Sequence, residues 1–161
     1  MLKTQNRNIN IDSQDMKAIL FRNFTGKPDS FNPKGQMGNF TIVLEDAKAK
    51  ELEAQGLNIK HKQNRDGDDE CRLQIFVRFD NFPPKVYRCT SKKSVELDED
   101  TIALLDNDEI VDADLIISPY TYDVNGRQGK KAYLHRGYFT VAEDQYADRY
   151  LNREDEVPFE C

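Results

Sequence analysis

The chain is poor in the residues that build metal and disulfide sites. It has two histidines, His61 and His135, and three cysteines, Cys71, Cys89 and Cys161, none in a CxxC pair. That set argues against a zinc site, and an odd, scattered cysteine count fits a reduced, cytoplasmic compartment. No apolar run approaches the roughly 20 residues of a membrane span, and the N-terminal stretch lacks the apolar core of a secretory signal. Gly26-Lys27 is not a phosphate loop: the upstream glycine is missing, Pro28 stands where Ser or Thr belongs, and no helix follows directly. Asp66, Asp68 and Asp69 lack the spacing and terminal glutamate of an EF-hand and read as a solvated turn. Asp112 and Asp114, or the aspartates near 66–69, are the only magnesium candidates for a nuclease, and both groups read as solvated. The expectation is a protein that is not an enzyme and needs no cofactor or metal.

What is present is one domain's worth of chain, 161 residues with 38% hydrophobic and 32% charged composition. The net charge of −6 is unevenly spread. Residues 143–161 hold seven acids and two bases, and residues 96–114 hold nine acids and no base. Of the 29 acids and 23 bases in the chain, 13 acids and 21 bases remain elsewhere, a net of +8. An acidic total therefore conceals a basic body, and such segregation says more about partners than the sum does.

The pattern predicts strands at 16–24, 39–44, 57–62, 71–79 and 85–91, and again from 109 onward. A helix is predicted over 45–55, ended by Gly56, and another over 97–106, capped by Asp98 or Asp100. Strands with irregularly inserted helices favour a small, partly open β-barrel over a doubly wound sheet. Residues 1–15 read as a flexible N-terminal segment, 16–142 as the domain, 143–153 as a short helix and 154–161 as an acidic, disordered tail.

Two stretches carry chemistry. Leu115 to Val141 is a hairpin with four tyrosines and four basic residues against one acid, Asp123. Its turn is expected to be a five-residue loop, Asn125 to Gly129, pairing Val124 with Lys130 and Tyr122 with Ala132. In Cys71 to Phe79, alternation sends Cys71, Leu73, Ile75, Val77 and Phe79 inward and Arg72, Gln74, Phe76 and Arg78 outward. Aromatic faces interleaved with cations suit single-stranded nucleic acid, which needs stacking for bases and charge for phosphates. Tyrosine is also common in strands of any function. The alternative reading is therefore a phage accessory or structural β-barrel protein that binds another protein.

Two resemblances sharpen the choice. Glu154-Asp155-Glu156-Val157-Pro158-Phe159 resembles the acidic tip of bacterial single-stranded-DNA-binding proteins, which in that family docks onto replication and repair enzymes. Here Glu160 and Cys161 follow, so the phenylalanine does not carry the terminal carboxylate. The body, roughly 16–145, is similar to phage-encoded single-stranded-DNA-binding proteins. That likeness lies in Phe21-Arg22-Asn23-Phe24 with Gly26-Lys27, in Leu97-Asp98-Glu99-Asp100-Thr101, and in the hairpin. The hairpin residues are Ile117-Ser118-Pro119-Tyr120, Val124-Asn125-Gly126, Gly129 and Lys131-Ala132-Tyr133-Leu134. This resemblance implies an oligonucleotide-binding (OB) fold and a role in phage DNA replication or recombination. The resulting expectation is mainly β: an OB-fold-like, partly open five-stranded barrel with inserted short helices and an extended hairpin.

The residues themselves nominate Arg72, Phe76 and Arg78 as the leading DNA contacts. Arg88, Lys92 and Lys93 follow, with Tyr120, Tyr122, Arg127, Lys130, Lys131, Tyr133 and Arg136 from the hairpin. Phe24, Lys27 and Lys34 are expected to close the groove. Single-stranded DNA is the expected partner, with replication or recombination proteins meeting the tail at Glu154, Asp155, Glu156, Val157, Pro158 and Phe159. No membrane partner is expected, and a homo-oligomer is left open.

Overall fold

The computed structural model describes residues 8–28, 30, 33–80 and 83–142, with the backbone alone at 124, 127 and 128. The expected helix at 143–153 and the acidic tail lie outside the described residues. The fold is mainly β and OB-like, with a single open sheet and two short α-helices among the described residues. Its strands are β1 (Ile9–Ile11), β2 (Met16–Asn23), β3 (Gly38–Leu44), β4 (Lys60–Gln63), β5 (Asp69–Val77), β6 (Lys85–Cys89), β7 (Ser94–Leu97), β8 (Ile110–Val124) and β9 (Arg127–Val141). The helices are α1 (Asp46–Ala54) and α2 (Leu104–Asn107). The strand order is β1-β8-β9-β5-β3-β2, with β4 added to β5, and β6 to β9 and β7. Among the described residues the sheet thus has nine strands rather than five.

Strand β5 follows its alternation: Leu73, Ile75 and Val77 are buried, and Cys71 and Phe79 pack half-buried against the core. Strand β9 needs more than alternation. It pairs antiparallel with β8 throughout, but the register steps from Ile116–Arg136 to Ile117–Leu134, which leaves His135 as an extra residue. This bulge lets Leu134 and Gly137 both face inward although they are three residues apart. A second bulge between Ile110 and Asp112 turns Val111 outward, and accounts for its 57% exposure. The core is built around Phe24, Phe40 and Phe139. Phe24 stacks on Phe40 with centroids 4.9 Å apart, and Phe139 meets both edge-on at 5.5 and 5.7 Å.

Four expectations are corrected here. The N-terminal segment is not loose through residue 15: Ile9 and Ile11 are buried, and β1 pairs with Leu115 to Ile117 of β8. A three-residue strand between polar neighbours carries too little periodicity to be read from sequence. Phe24 does not close a groove. It is 1% exposed at the centre of the phenylalanine cluster. The stretch 97–106 is only briefly helical: Asp98 caps its start, its Oδ1 accepting from the backbone N–H of Asp100 and Thr101 and from the Thr101 hydroxyl, but the backbone bonds from Thr101 to Asp106 are of the tighter i→i+3 kind. Those bonds hold a tight turn, and the helix is confined to Leu104–Asn107.

The hairpin turn is also shorter than expected. Val124 pairs with Arg127 and Tyr122 with Gly129, so Asn125-Gly126 alone make the turn. Both have positive φ, 55° and 82°, the geometry that matches the right-handed twist of paired strands. Gly129 is a strand residue with a different task. A Cβ there would lie 2.6 Å from the Tyr122 hydroxyl, so the missing side chain is what lets Tyr122 lie across the strand.

Phe24→Ala is expected to lower stability by about 3–5 kcal/mol, because it empties the centre of the aromatic core. Urea denaturation reads this directly, and a loss below about 1 kcal/mol would contradict the core placement.

Candidate nucleic-acid interface

Strands β5, β3 and β2 pair in register so that Phe76, Asn39 and Asn23 form one row across the sheet, and Gln74, Thr41 and Leu20 the next. The outward residues of these rows form the floor of an open cleft of about 660 Å³. One side is bounded by Lys60 and Lys62 of β4, which alternate outward, and by Asn58. The other side is bounded by Tyr122, Lys130 and Lys131 of the β8–β9 hairpin. The cleft opens where the edge of β5 is shared, since β4 covers Asp69 to Arg72 and β9 covers Ile75 and Phe76.

The electrostatics of the cleft are one-sided. Among the described residues its lining contains six bases, Arg22, Lys60, Lys62, Arg72, Lys130 and Lys131, and no acid. The four lysines make no ion pair among the described residues, whereas Arg72, Arg78 and Arg88 are matched by Glu70, Asp80 and Asp108. The acidic stretch 96–114 contributes nothing to the lining. Two of its carboxylates are engaged elsewhere: Asp106 accepts from the Phe24 N–H at 2.6 Å, and Asp108 pairs with Arg88 at 2.7 Å.

The aromatics run in sequence beside these charges. Phe76 sits 5.9 Å from Tyr133, and Tyr133 5.9 Å from Tyr120, nearly perpendicular. Parallel pairing of β5 with β9 places Phe76 directly beside Tyr133. Lys131 Nζ lies 5.3 Å from the Phe76 ring and 5.6 Å from that of Tyr122, within cation–π range of both. Arg72 lies over a third ring, that of Phe21, at 5.5 Å, while Glu70 accepts from its guanidinium at 2.8 Å. That hydrogen bond holds the Glu70 carboxyl below its ordinary pKa.

Of the nominated residues, the structure brings Arg72, Phe76, Tyr122, Lys130 and Lys131 into the cleft, and Tyr120 and Tyr133 adjoin it through the ring chain. Arg78 is hydrogen-bonded to Asp80 at 2.9 Å, which raises the guanidinium's pKa and lowers that of the carboxyl, with a smaller contribution from Tyr133. It stands beside the aromatic row with its charge matched. Arg88 is corrected: its bidentate pair with Asp108 raises its pKa, and it does not line the cleft. Lys92 and Lys93 lie in the β6–β7 turn, where both backbone N–H groups donate to Thr90 Oγ1, and they do not line the cleft either. Arg136 falls beyond the His135 bulge and is in register with Lys85. Lys27 and Lys34 are exposed on the loop after β2, but from that loop Ser30 and Gln36 line the cleft instead. Arg127 follows the turn directly, opposite Val124.

Sequence reading missed Phe21, Lys60, Lys62, Asn39 and Gln74 as cleft residues. Lys60 and Lys62 had a signal, two lysines at strand spacing. Phe21 had none. A register shift between Leu20 and Asn23 inserts one residue into β2, and Phe21 takes φ +52° there with 66% exposure. Positive φ in a bulky residue is costly and persists only where the surroundings enforce it, which is common at functional sites.

Comparison with known proteins gives the family and the fold. The family model for a phage ssDNA-binding domain matches residues 3–159. The chain belongs to the phage ssDNA-binding domain family. Among solved structures, it is similar to the single-stranded DNA-binding protein of bacteriophage Enc34 in complex with ssDNA. That likeness has a TM-score of 0.53 at 13% identity, covering 89% of this chain and 95% of that one. A second structure of the Enc34 protein gives a TM-score of 0.53 at 13% identity, covering 93% and 97%. At such identity the likeness is one of fold. No curated protein matches the chain in sequence. Among the described residues of this family member, no helix is long and apolar enough to cross a membrane.

Phe21→Gly is expected to raise stability by about 1 kcal/mol through relief of the left-handed backbone. The same change is expected to weaken single-stranded DNA binding by about 1–3 kcal/mol through loss of a stacking face. Thermal unfolding and fluorescence anisotropy measure the two, and a stabilised variant with undiminished affinity would remove Phe21 from the interface.

Proposed function

We propose that this protein binds single-stranded DNA without sequence preference along the β5–β3–β2 cleft, and so protects it during phage DNA replication and recombination. The observation that carries this reading is a cleft lined by six bases and no acid among the described residues, with Phe21, Phe76 and Tyr122 among them. Phosphates meet the unpaired lysines, and bases stack on the rings beside them. The cation–π placement of Lys131 between Phe76 and Tyr122 sets charge and stacking face within one nucleotide's reach. The family membership supports the same ligand. The protein then acts as a binding protein rather than as an enzyme.

The tail has a second role in this proposal. Its sequence, acids followed by Val157-Pro158-Phe159, supports recruitment of replication or recombination proteins. Its charge also suits competition with DNA for the basic cleft when DNA is absent.

Binding is expected to favour single-stranded over duplex DNA, and to weaken with salt at a slope of roughly −3 to −4 in log K against log salt, from about five phosphates neutralised. Phe76→Ala should cost about 1–3 kcal/mol. A gel shift at two salt concentrations tests the first, and equal affinity for duplex DNA would overturn the reading. Deletion of residues 154–161 should tighten DNA binding at low salt and abolish capture of partner enzymes. Unchanged affinity in that variant would remove the competition role.

A further inference from the structure

The floor of the cleft holds a pair of amides whose orientation is fixed by chemistry. Asn39 is the one buried polar residue among those described, 6% exposed. Its Nδ2 donates to the Met37 backbone carbonyl at 2.9 Å, and a carbonyl can only accept, so the Asn39 nitrogen must face it. The Asn39 Oδ1 therefore faces Gln74 and accepts from its Nε2 at 3.1 Å. This in turn fixes the Gln74 carboxamide. Its Oε1 and second N–H have no partner among the described residues, and Gln74 is exposed on the floor between Arg72 and Phe76. A solvated glutamine samples many rotamers. This one is tethered through a buried neighbour, so it meets a ligand with little further ordering.

We propose that Gln74 hydrogen-bonds the Watson–Crick edge of a base lodged beside Phe76, with the Asn39–Met37 relay holding its amide in place. This rests on the single-strand-binding reading above and deepens it. Every base edge offers a donor next to an acceptor, and a carboxamide offers the complementary pair. One glutamine can therefore grip any unpaired base without preference for sequence. It cannot grip a paired one, because in a duplex that edge is already engaged. The relay thus selects single strands by chemistry, in addition to the shape and charge of the cleft.

The test uses fluorescence anisotropy with the full chain, labelled oligothymidine, and the same oligomer built from N3-methylthymidine, whose Watson–Crick edge is blocked. The parent should bind the methylated oligomer about tenfold more weakly, the worth of one amide hydrogen-bonding group. Gln74→Met should bind both oligomers equally, at the parent's level for the methylated one. Phe76→Ala should weaken both while keeping the parent's ratio, since stacking does not sense the blocked edge. Equal binding of both oligomers by the parent, or a tenfold ratio retained by Gln74→Met, would overturn the assignment while leaving the single-strand reading intact. Failure of the parent to bind unmodified oligothymidine would overturn that reading itself.

Discussion

Strand β9 changes partner halfway along its length, and the rest of the molecule follows from that change. Its first half pairs with β5 at Ala132 and Tyr133, and its second half with β6 from Arg136 to Thr140, while β8 stays alongside throughout. The change of partner falls at the His135 bulge. Without the extra residue, period-two alternation would turn Gly137, Phe139 and Val141 outward once Leu134 faced inward. The aromatic core would then lose Phe139. With it, one strand supplies a ligand-facing half, carrying Lys131 and Tyr133, and a core-building half, carrying Phe139 and Val141. Divergence of β9 from β4 along the edge of β5 then leaves the opening that becomes the cleft.

The cleft is less settled than its surroundings, in ways that make sense only for a surface that meets an anion. Lys60, Lys62, Lys130 and Lys131 repel one another with no acid among the described residues to offset them. Phe21 holds a backbone conformation that a glycine would adopt freely, and exposes most of its ring. Gln74 uses one N–H and leaves its Oε1 and second N–H without a partner among the described residues. Elsewhere the same protein satisfies comparable groups closely: Arg88 has a bidentate carboxylate, Asp98 accepts from three donors, and the Phe24 N–H has Asp106. An arrangement that satisfies its polar groups in one region and leaves them open in another concentrates its interaction capacity in the open one.

What the sequence made legible tracks how local each feature is. The outward set of β5 follows from alternation within nine residues, and it delivered Arg72 and Phe76 to the cleft. The hairpin was evident from its flanking strands and Asn125-Gly126, yet its register was not. Gly129 reads as a second turn glycine until the ring of Tyr122 is seen to occupy the space of its side chain. Phe24 and Phe21 show the harder failure. Three residues apart, they look interchangeable as aromatic candidates; alternation puts them on opposite faces, and the single inserted residue in β2 decides that Phe24 takes the core and Phe21 the surface. Bulges leave no periodic trace, because they are interruptions of the period. Basic residues were misplaced for a related reason: Arg88 was counted as available charge, and its partner Asp108 lies twenty residues away in sequence, on an element whose position depends on the whole sheet.

The acidic stretch that made the net charge misleading has a structural use, and that use reaches the cleft. Arg22, the neighbour of Phe21 in the β2 bulge, donates through Nη1 to the backbone carbonyls of Leu105, at 2.9 Å, and Asp108. Asp106, between those two carbonyls in sequence, holds the N–H of Phe24. The α2 segment therefore grips the chain within the bulge, at Arg22, and just after it, at Phe24, by charge-assisted bonds that are stronger than neutral ones. A strained φ at Phe21 survives because the chain that follows it is held this way, at Arg22 and Phe24, and has little freedom to relax. The acids of 96–114 thus do not oppose the basic cleft. Two of them brace it from behind, with Asp106 and the Asp108 carbonyl fixing the strand and the Asp108 carboxylate holding Arg88. Their negative charge is spent on N–H groups and a guanidinium rather than projected toward the ligand. A charge distribution that looked like a contradiction in composition resolves into a division of labour: carboxylates tied down to hold the sheet's shape, and ammonium groups left free on the face that the shape presents.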